Sequence, residues 1–100
     1  MDTLSNTVKY AMLGYAGQAL NGWSYLTSSD DQSLFTILSV GQAGGQHIVD
    51  TGLVVLIRSG RVIIERDVND RPLVDVLIAD GIPRDRIVLA YAGESADEAA

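Results

Sequence analysis

The feature of this sequence that most constrains its fold is an apolar run broken once by a turn signal, LVVLIRSGRVIIERD, over residues 53–67. Apolar segments over residues 48–57 and 61–65 flank Ser59-Gly60. A glycine just before the second segment supplies the left-handed residue that a short hairpin loop requires. The sequence therefore predicts a tight antiparallel hairpin in the middle of the chain.

The first arm of this hairpin is apolar at every position from residue 53 to residue 57. Such a strand is typical of a sheet covered on both faces. A chain of 100 residues has little material for layers on both sides of a sheet. We therefore expect one face of this strand to belong to a partner or to a second copy of the chain.

Three predicted elements and a glycine-rich connection precede the hairpin. Apolar residues spaced three and four apart predict an amphipathic helix over residues 3–20, which Asn21-Gly22 ends. A β-prone segment over residues 23–27 and an alternating segment over residues 34–41 predict two strands. The glycine-rich stretch over residues 41–45 is typical of a flexible connection.

A second helix is predicted after the hairpin, over residues 72–80. Asp70 is the expected N-cap, and Gly81 is the expected left-handed residue that follows the C-terminus. In that geometry Ile82 contacts Leu77 across the end of the helix.

The order of these elements predicts the fold class. Residues 87–91 are short and apolar and indicate a final strand or extended segment. The chain is then an α+β domain, an antiparallel sheet with a central tight hairpin, packed by an N-terminal helix and by a second helix near the C-terminus. We expect a single domain over residues 1–92 and an acidic flexible tail over residues 93–100.

Composition limits the function. Seven basic and 13 acidic residues give a formal net charge of -6, which opposes direct binding to nucleic acid. The absence of cysteine and a single histidine argue against disulfides and a zinc site, and favour the cytoplasm. No run reaches the roughly 20 apolar residues of a membrane span, and no signal peptide is visible.

The residues that could carry chemistry do not form a catalytic set. His47 and Asp50 lie three apart on a predicted strand and would point to opposite faces. The glycine-rich stretch lacks the lysine and hydroxyl residue of a phosphate-binding loop. Two acidic pairs are better explained by turns and helix capping than by metal binding: Asp30 with Asp31, and Asp67 with Asp70. We predict no enzyme activity, no metal and no cofactor.

Candidate interface residues come from the aromatic strand and from the hairpin. Trp23 and Tyr25 share a strand face, where the sequence favours core packing over an exposed interface anchor. Arg58 and Arg61 flank the hairpin turn, where a solvated charge is more usual than a contact to an anion or partner. The candidates for a partner interface are Trp23, Tyr25, Val54, Leu56, Arg58 and Arg61.

Three blocks, LFTILSVG, LIRSGRVIIE and LIADGIPRDRIVLAY, resemble in order and spacing the XisI-like family, the fdxN element excision controlling factors. The matched positions are Phe35, Leu38, Val40 and Gly41; Gly60, Arg61, Val62, Ile64 and Glu65; and Leu77, Gly81, Ile82, Pro83, Arg84, Asp85, Ile87, Val88, Leu89 and Tyr91. The sequence departs from the family pattern at Gln42 and Ile63, where members usually have Trp, and at Val54 and Leu56, where they often carry His and Asp.

The resemblance implies an accessory factor in programmed DNA rearrangement in cyanobacteria and related bacteria. Such a factor acts with a XisH-like, nuclease-fold partner and, indirectly, with a separate recombinase. We expect an apolar or acidic surface of this chain to dock onto a basic, DNA-acting partner. Two other hypotheses stay open: a DNA-binding dimer that aligns Arg58, Arg61, Arg66 and Arg84, and a small-molecule-binding module with a cleft near Trp23 and Tyr25.

Overall fold

The computed structural model describes residues 3–19 and 21–95. The end of the predicted first helix, at residue 20, and residues 96–100 of the predicted tail lie outside these ranges. The described helices are α1 (Thr3–Leu13) and α2 (Leu73–Ala79), and two short 3₁₀ turns cover Arg84–Arg86 and Ala90–Ala92. The strands are β1 (Gly17–Ala19), β2 (Gly22–Ser28), β3 (Leu34–Ala43), β4 (Gln46–Arg58), β5 (Arg61–Asp67) and β6 (Ile87–Leu89).

The strands form one sheet in the order β1-β2-β3-β4-β5-β6. Strands β1 to β5 pair antiparallel with their neighbours, and both helices belong to the same domain, so the predicted α+β fold is confirmed. The sheet departs from the expected antiparallel pattern at one edge, where β6 runs parallel to β5. The chain between these two strands includes α2, which provides the crossover that a parallel pair needs.

The predicted central hairpin is confirmed. Arg58 at the end of β4 pairs with Arg61 at the start of β5. The two turn residues both have left-handed backbones, with φ of 53° at Ser59 and 75° at Gly60. Two consecutive positive φ angles define the turn whose twist matches that of the flanking strands.

A second hairpin replaces the flexible connection predicted over residues 41–45. Strand β3 continues to Ala43 and β4 begins at Gln46, and these two residues pair with each other. Only Gly44 and Gly45 form the turn, with φ of 58° and 79°. The sequence did not indicate how far the two strands continue, because glycine, glutamine and alanine are weak strand formers.

The first helix is shorter than the predicted span of residues 3–20, because it ends at Leu13. Beyond it, Gly17 has a φ of 123°, a conformation that no right-handed helix contains. The chain is held in its new direction by Tyr15, whose hydroxyl donates to the backbone oxygen of Arg71 at 2.8 Å. The Arg71 guanidinium lies 4.7 Å from the centre of the Tyr15 ring, and burial raises the pKa of that phenol above its usual value.

The hydrophobic core lies between one face of the sheet and the two helices. Each fully buried aliphatic or aromatic side chain stabilises the fold by about 1.5–3 kcal/mol relative to an exposed one. Apolar side chains of α1, α2 and strands β3 to β5 fill this layer: Val8, Met12, Phe35, Leu53, Val55, Val62, Ile64, Leu73 and Leu77 are fully buried.

The N-terminus of α2 is capped by a different aspartate from the one predicted. Asp67, the last residue of β5, accepts a hydrogen bond at 2.8 Å from the backbone N–H of Leu73. Its other carboxylate oxygen accepts bonds from the backbone and side chain of Asn69. The prediction of Asp70 as N-cap was wrong: the N-cap residue is Pro72, which makes no side-chain capping bond, and Asp67 at the end of β5 accepts the Leu73 N–H in its place.

The predicted C-terminus of α2 is confirmed. Gly81 has a φ of 99°, and its N–H donates to the backbone oxygen of Ile78. The N–H of Ile82 donates to the backbone oxygen of Leu77 at 3.0 Å. Ile82 and Leu77 are both buried, which is the apolar contact that accompanies this type of helix end.

The outer edge of β6 is covered by side chains. Leu89 donates its N–H to Glu94 Oε1 at 2.9 Å and accepts a bond from the Glu94 N–H at 3.1 Å. Arg84 donates to the backbone oxygen of Ile87 at 2.7 Å and pairs with Glu94 at 2.7 Å. Glu94, which the sequence placed in the flexible tail, therefore occupies backbone groups that an additional strand would use.

Candidate interaction surface

The two faces of the sheet are covered unequally. The helices pack on the face that contains Phe35, Ile37, Leu53 and Val55. We call the opposite side the open face and define it from the strand register over β2 to β5. Its residues are Trp23, Tyr25, Thr27, Leu34, Thr36, Leu38, Val40, Gln42, His47, Val49, Thr51, Val54, Leu56, Arg58, Arg61, Ile63 and Arg66.

All six predicted interface candidates lie on the open face. Trp23 and Tyr25 come from β2, and their ring centres are 6.4 Å apart with a 38° angle between the planes. The prediction that they pack in the core was wrong, since they are 45% and 49% exposed. The even-numbered residues of β2 face the helix side, so the aromatic pair is left on the other side.

A strip of aliphatic side chains continues from the aromatic pair across β3 and β4. Tyr25 pairs with Leu38 and Trp23 with Val40, and Val40 pairs in turn with Val49. Leu38 and Val40 are only half-buried, and Val49 is 57% exposed. Apolar side chains that neighbour each other across paired strands form a shared apolar surface, which is typical of a protein contact site.

The strip reaches the hairpin through two residues of the apolar run. Val54 pairs with Thr36, and Leu56 pairs with Leu34 on β3. Both Val54 and Leu56 are half-buried, whereas Leu53 is fully buried against the helices. The expected uncovered face of this strand is therefore present in the single chain.

The hairpin end of the open face is positively charged. Arg58 and Arg61 pair with each other next to the hairpin turn. Further along β5, Glu65 is exposed and lies in a bulge between Ile64 and Arg66. Of the two remaining arginines of the DNA-binding hypothesis, Arg66 pairs with Val54 at the other end of β5. It donates to the backbone oxygen of Thr51 at 2.8 Å and lies 3.8 Å from the Asp50 carboxylate. Arg84 pairs with Glu94 beside β6. The four arginines do not form one cluster.

Two shallow depressions border the open face. One, of about 200 Å³, is lined by Trp23 together with Gly22, Gly41, Ile48 and other residues at the end of the sheet remote from the hairpin. This volume is below the roughly 300–1,000 Å³ of ordinary ligand pockets. The other, of about 390 Å³, is polar and is lined by Ser59, Arg61, Asp85 and Arg86.

The residues considered for catalysis or metal binding stay apart or serve the backbone. His47 lies on the open face, and Asp50 points to the other side of β4. Asp31 accepts bonds from Ser29 Oγ, Ser33 Oγ and the Ser33 N–H in the turn between β2 and β3. The Ser33 and Ser29 bonds hold the pKa of the Asp31 carboxyl below its usual value.

Within residues 3–19 and 21–95, no group of three or more His, Cys, Asp or Glu residues is placed to hold a metal ion. Neither helix of the described chain has the length and apolar character needed to cross a membrane.

The fold and the open face together define a small sheet domain with a surface suited to protein contacts. The family model for the XisI protein matches residues 5–99, so the chain belongs to the XisI family. A XisI-like protein from Anabaena variabilis ATCC 29413 has a similar structure, with a TM-score of 0.75 and 22% identity over 86% of this chain and 82% of that one.

A second solved structure extends the likeness over nearly the whole domain. It is the fdxN element excision controlling factor XisI from Anabaena variabilis ATCC 29413, with a TM-score of 0.62 and 20% identity over 95% of this chain and 93% of that one. A comparison with curated proteins finds no match. The suspected family resemblance is therefore confirmed.

The departures from the family pattern are all placed on the same side of the sheet. Gln42, Val54, Leu56 and Ile63 belong to the open face. Ile63 is 3% exposed and pairs with Leu56. The apolar side chains on this side of the sheet are therefore buried where the sheet reaches β5. The sequence analysis did not predict that the strip extends over Leu38, Val40 and Val49. The alternation of these residues with Ser39 and Asp50 was the pattern that could have indicated it.

Proposed function

We propose that this chain is a non-catalytic regulatory factor of programmed DNA element excision that acts by binding a XisH-like, nuclease-fold protein. Membership of the XisI family supports the regulatory role, since a member of similar structure is named an excision controlling factor. The partner follows from the family resemblance. The proposed site of action is the cytoplasm, where excision of a bacterial DNA element takes place.

The observation that carries the proposal is the open face itself. Aromatic and aliphatic side chains extend across β2, β3 and β4 on either side of the hydrogen-bonded pair Thr27 and Thr36, and Trp23 and Tyr25 project at one end. Monomeric proteins seldom leave a contiguous apolar surface of this kind in water. Exposed Trp and Tyr are also the side chains that most often dominate the energy of a protein interface.

Binding through this face would act by covering a surface of the partner. A sheet face of three strands is broad and flat, so it suits docking onto another folded protein rather than insertion into a cleft. Once docked, the domain occupies space next to the partner and can alter its access to DNA. The recombinase that performs excision would be affected only through that partner.

The direct test is copurification of this chain with a XisH-like protein from the same genome. We expect a stable complex for the wild-type protein. Tyr25→Ser should weaken it at least tenfold in dissociation constant, because loss of an exposed aromatic anchor typically has that effect. Isothermal titration calorimetry gives the affinity, and circular dichroism verifies that the variant is folded.

The matched control is Tyr10→Ser. Tyr10 is 73% exposed on α1, on the helix side of the sheet, so its loss should change the affinity by less than about twofold. Equal weakening by both substitutions, or no complex with the wild-type protein, would contradict the proposal. A gel shift at low salt that vanishes as salt rises would instead favour direct DNA binding, and a ligand that raises the melting temperature with concentration would favour a small-molecule module.

A further inference from the structure

We infer that the first part of β4 pairs with the same stretch of a second copy of this chain, so that the two sheets join edge to edge. Strand β4 spans Gln46–Arg58, but its pairing with β5 reaches only Leu53. Residues 46–50 have β3 on one side and no strand of the described chain on the other. The inference goes beyond the proposed function and does not depend on the identity of the DNA-acting partner.

This stretch belongs to an arm that projects from the packed part of the sheet. We define the arm as residues 42–50, at the end of the hairpin between β3 and β4. All of these residues are exposed, including Ile48 at 41% and Val49 at 57%. A two-stranded hairpin alone is only marginally stable in water, so pairing along its edge would add support that the single chain does not provide.

The backbone of the arm has free hydrogen-bonding groups along its outer edge. A two-residue turn makes the residues on either side of it a hydrogen-bonded pair, and such pairs alternate along an antiparallel ladder. The N–H and C=O groups of His47 and Val49 therefore point away from β3. The oxygen of Thr51, the next in this series, accepts a bond from Arg66. Those of His47 and Val49 have no partner among residues 3–19 and 21–95.

The two outermost strands are protected against pairing, whereas this stretch is not. At β6, Arg84 and Glu94 bond to the backbone, and β1 is only three residues long. Short edge strands, proline and lysine are devices that prevent strand addition. Residues 46–50 contain neither proline nor lysine, and they include the exposed β-branched side chains of Ile48 and Val49.

One antiparallel register satisfies the free groups. With Ile48 opposite Ile48 of the second copy, each His47 lies opposite a Val49, and each of these pairs exchanges both of its backbone hydrogen bonds. The Ile48 side chains meet at the two-fold axis, and the Gln46 amide lies opposite the Asp50 carboxylate, which accepts hydrogen bonds. The stretch is its own complement, which favours a second copy over an unrelated peptide.

Neighbouring registers fit less well. With the axis at Val49, His47 would lie opposite Thr51, whose oxygen already accepts a side-chain bond. With the axis at His47, Val49 would lie opposite Gly45, a turn residue with a φ of 79°. With the axis at Ile48, the glycine turn of the second copy comes next to the end of β5, where it brings no side chain.

The symmetry has a consequence for the open face. A two-fold axis between antiparallel strands stands perpendicular to the sheet, so both open faces point the same way. The dimer closes after two molecules, because each copy uses the same stretch. It presents Trp23 and Tyr25 of both copies on one side, where they remain free to contact another protein.

Charge substitutions at the axis test the pairing. The wild-type chain should show a monomer–dimer equilibrium in sedimentation equilibrium. Ile48→Lys and Ile48→Glu should each raise the dimer dissociation constant at least about tenfold, because like charges would lie directly opposite. An equimolar mixture of the two variants should restore the dimer, since lysine then faces glutamate.

The matched control is Tyr10→Lys, on a side chain of α1 that is 73% exposed. It changes the net charge as Ile48→Lys does and should alter the dissociation constant by less than about twofold, because it lies outside the paired edge. Circular dichroism verifies that all three variants fold.

Cysteine substitutions test the register. The chain has no cysteine, so Ile48→Cys can form a disulfide only between copies. Directly opposite residues of a non-hydrogen-bonded pair have Cα atoms about 4.5 Å apart, within reach of a disulfide. Val49→Cys is the control, because the two sulfurs would be on diagonal neighbours roughly 7–8 Å apart. Mild oxidation should cross-link the first variant and leave the second largely monomeric on a non-reducing gel.

Each other outcome overturns the inference. A wild-type chain that stays monomeric up to its solubility limit does so, and it leaves the proposed function intact if the XisH-like protein still binds. A dimer that Ile48→Lys leaves unchanged, or that Tyr25→Ser dissociates instead, would assign the contact to another surface. A mixture of the lysine and glutamate variants that stays monomeric would contradict the axis at Ile48. If the wild type is monomeric and Ile48→Lys weakens binding of the XisH-like protein, the edge belongs to that partner.

Discussion

The two faces of β4 show how one apolar segment serves two purposes. Leu53 and Val55 point towards the helices and are fully buried, while Val54 and Leu56 point to the open face and are only half-buried. Composition is nearly the same on both sides of this strand. The difference lies in what covers each side, and it separates residues that hold the fold together from residues free to contact another protein.

The largest expected effect comes from truncating a leucine on each side. Leu53→Ala should lower the free energy of unfolding by about 2–5 kcal/mol, because it leaves a cavity in the packed layer. Leu56→Ala should lower it by less, about 1–2 kcal/mol, since part of that side chain is already in contact with water. Urea denaturation followed by fluorescence of Trp23 measures both values.

Comparable destabilisation by the two alanine substitutions would show that the open face is covered in the isolated protein. An increase in the Leu56→Ala effect with protein concentration would point to cover by a second copy of the chain. Either result would contradict the claim that only one face of β4 is covered in the isolated chain.

A smaller effect is expected when shape is kept and polarity is changed. Val55→Thr places a hydroxyl in the helix-covered core and should lower the free energy of unfolding by about 1–3 kcal/mol. Val54→Thr places the same hydroxyl on the open face beside Thr36 and should change it by less than about 0.5 kcal/mol. Thermal denaturation of the two variants in parallel sharpens the comparison, because neither creates a cavity.

Similar losses for the two threonine variants would mean that water does not reach Val54. A larger loss for Val54→Thr than for Val55→Thr would reverse the assignment of the faces.

The smallest effect is expected at the sheet edge, where side chains rather than a helix cover the backbone. The hydrogen bond from the Leu89 N–H, and to a smaller extent the one from Arg84, hold the pKa of the Glu94 carboxyl below its ordinary value of 4.5. A carboxyl with a depressed pKa in the folded state stabilises the fold above its unfolded-state pKa, and this contribution is lost as the pH falls through the folded-state pKa.

Glu94→Gln tests this contact. The variant should have a lower urea midpoint than wild type at pH 7, and the difference should shrink below pH 4.5 as the wild-type carboxyl takes up a proton. Glu65→Gln, an exposed carboxylate on β5, is the control for a general change in charge. A Glu94→Gln difference that stays constant from pH 7 down to pH 3 would contradict the assigned role.

Local signals in the sequence predicted several elements correctly. Ser59-Gly60 between two apolar segments indicated the central hairpin, and Gly81 followed by Ile82 indicated the end of α2. In each case the conformation is set by residues within a few positions of each other, such as a glycine at a positive φ. Such features can be read without knowledge of the rest of the fold.

Features set by distant contacts were not predicted. The helical pattern continues to residue 20, but the chain turns after Leu13 and its new course is held by Arg71, 56 positions from Tyr15. The N-cap of α2 likewise depends on where β5 ends. Periodicity reports which residues are apolar, and it does not report which tertiary contacts compete with a helix.

The six candidate interface residues share one face of the sheet, and the sequence did not indicate how they are arranged on it. Val54 and Leu56 followed from an apolar run that a small chain could not cover on both sides. The exposure of Trp23 and Tyr25 was missed, because an aromatic alternation looks the same whether its face is inside or outside. Only the register that links β2 to β4 places the aromatic pair and the arginines on one surface.

The hydrogen bonds that Glu94 and Arg84 make to β6 have a consequence for how copies of this chain could pair through their sheets. With that border occupied, the strand edges left for a foreign strand lie beside β1 and β2 and along residues 46–50 of β4, which the pairing with β5 does not reach. Strand addition at β6 itself would first require the Glu94 side chain to leave the backbone of Leu89.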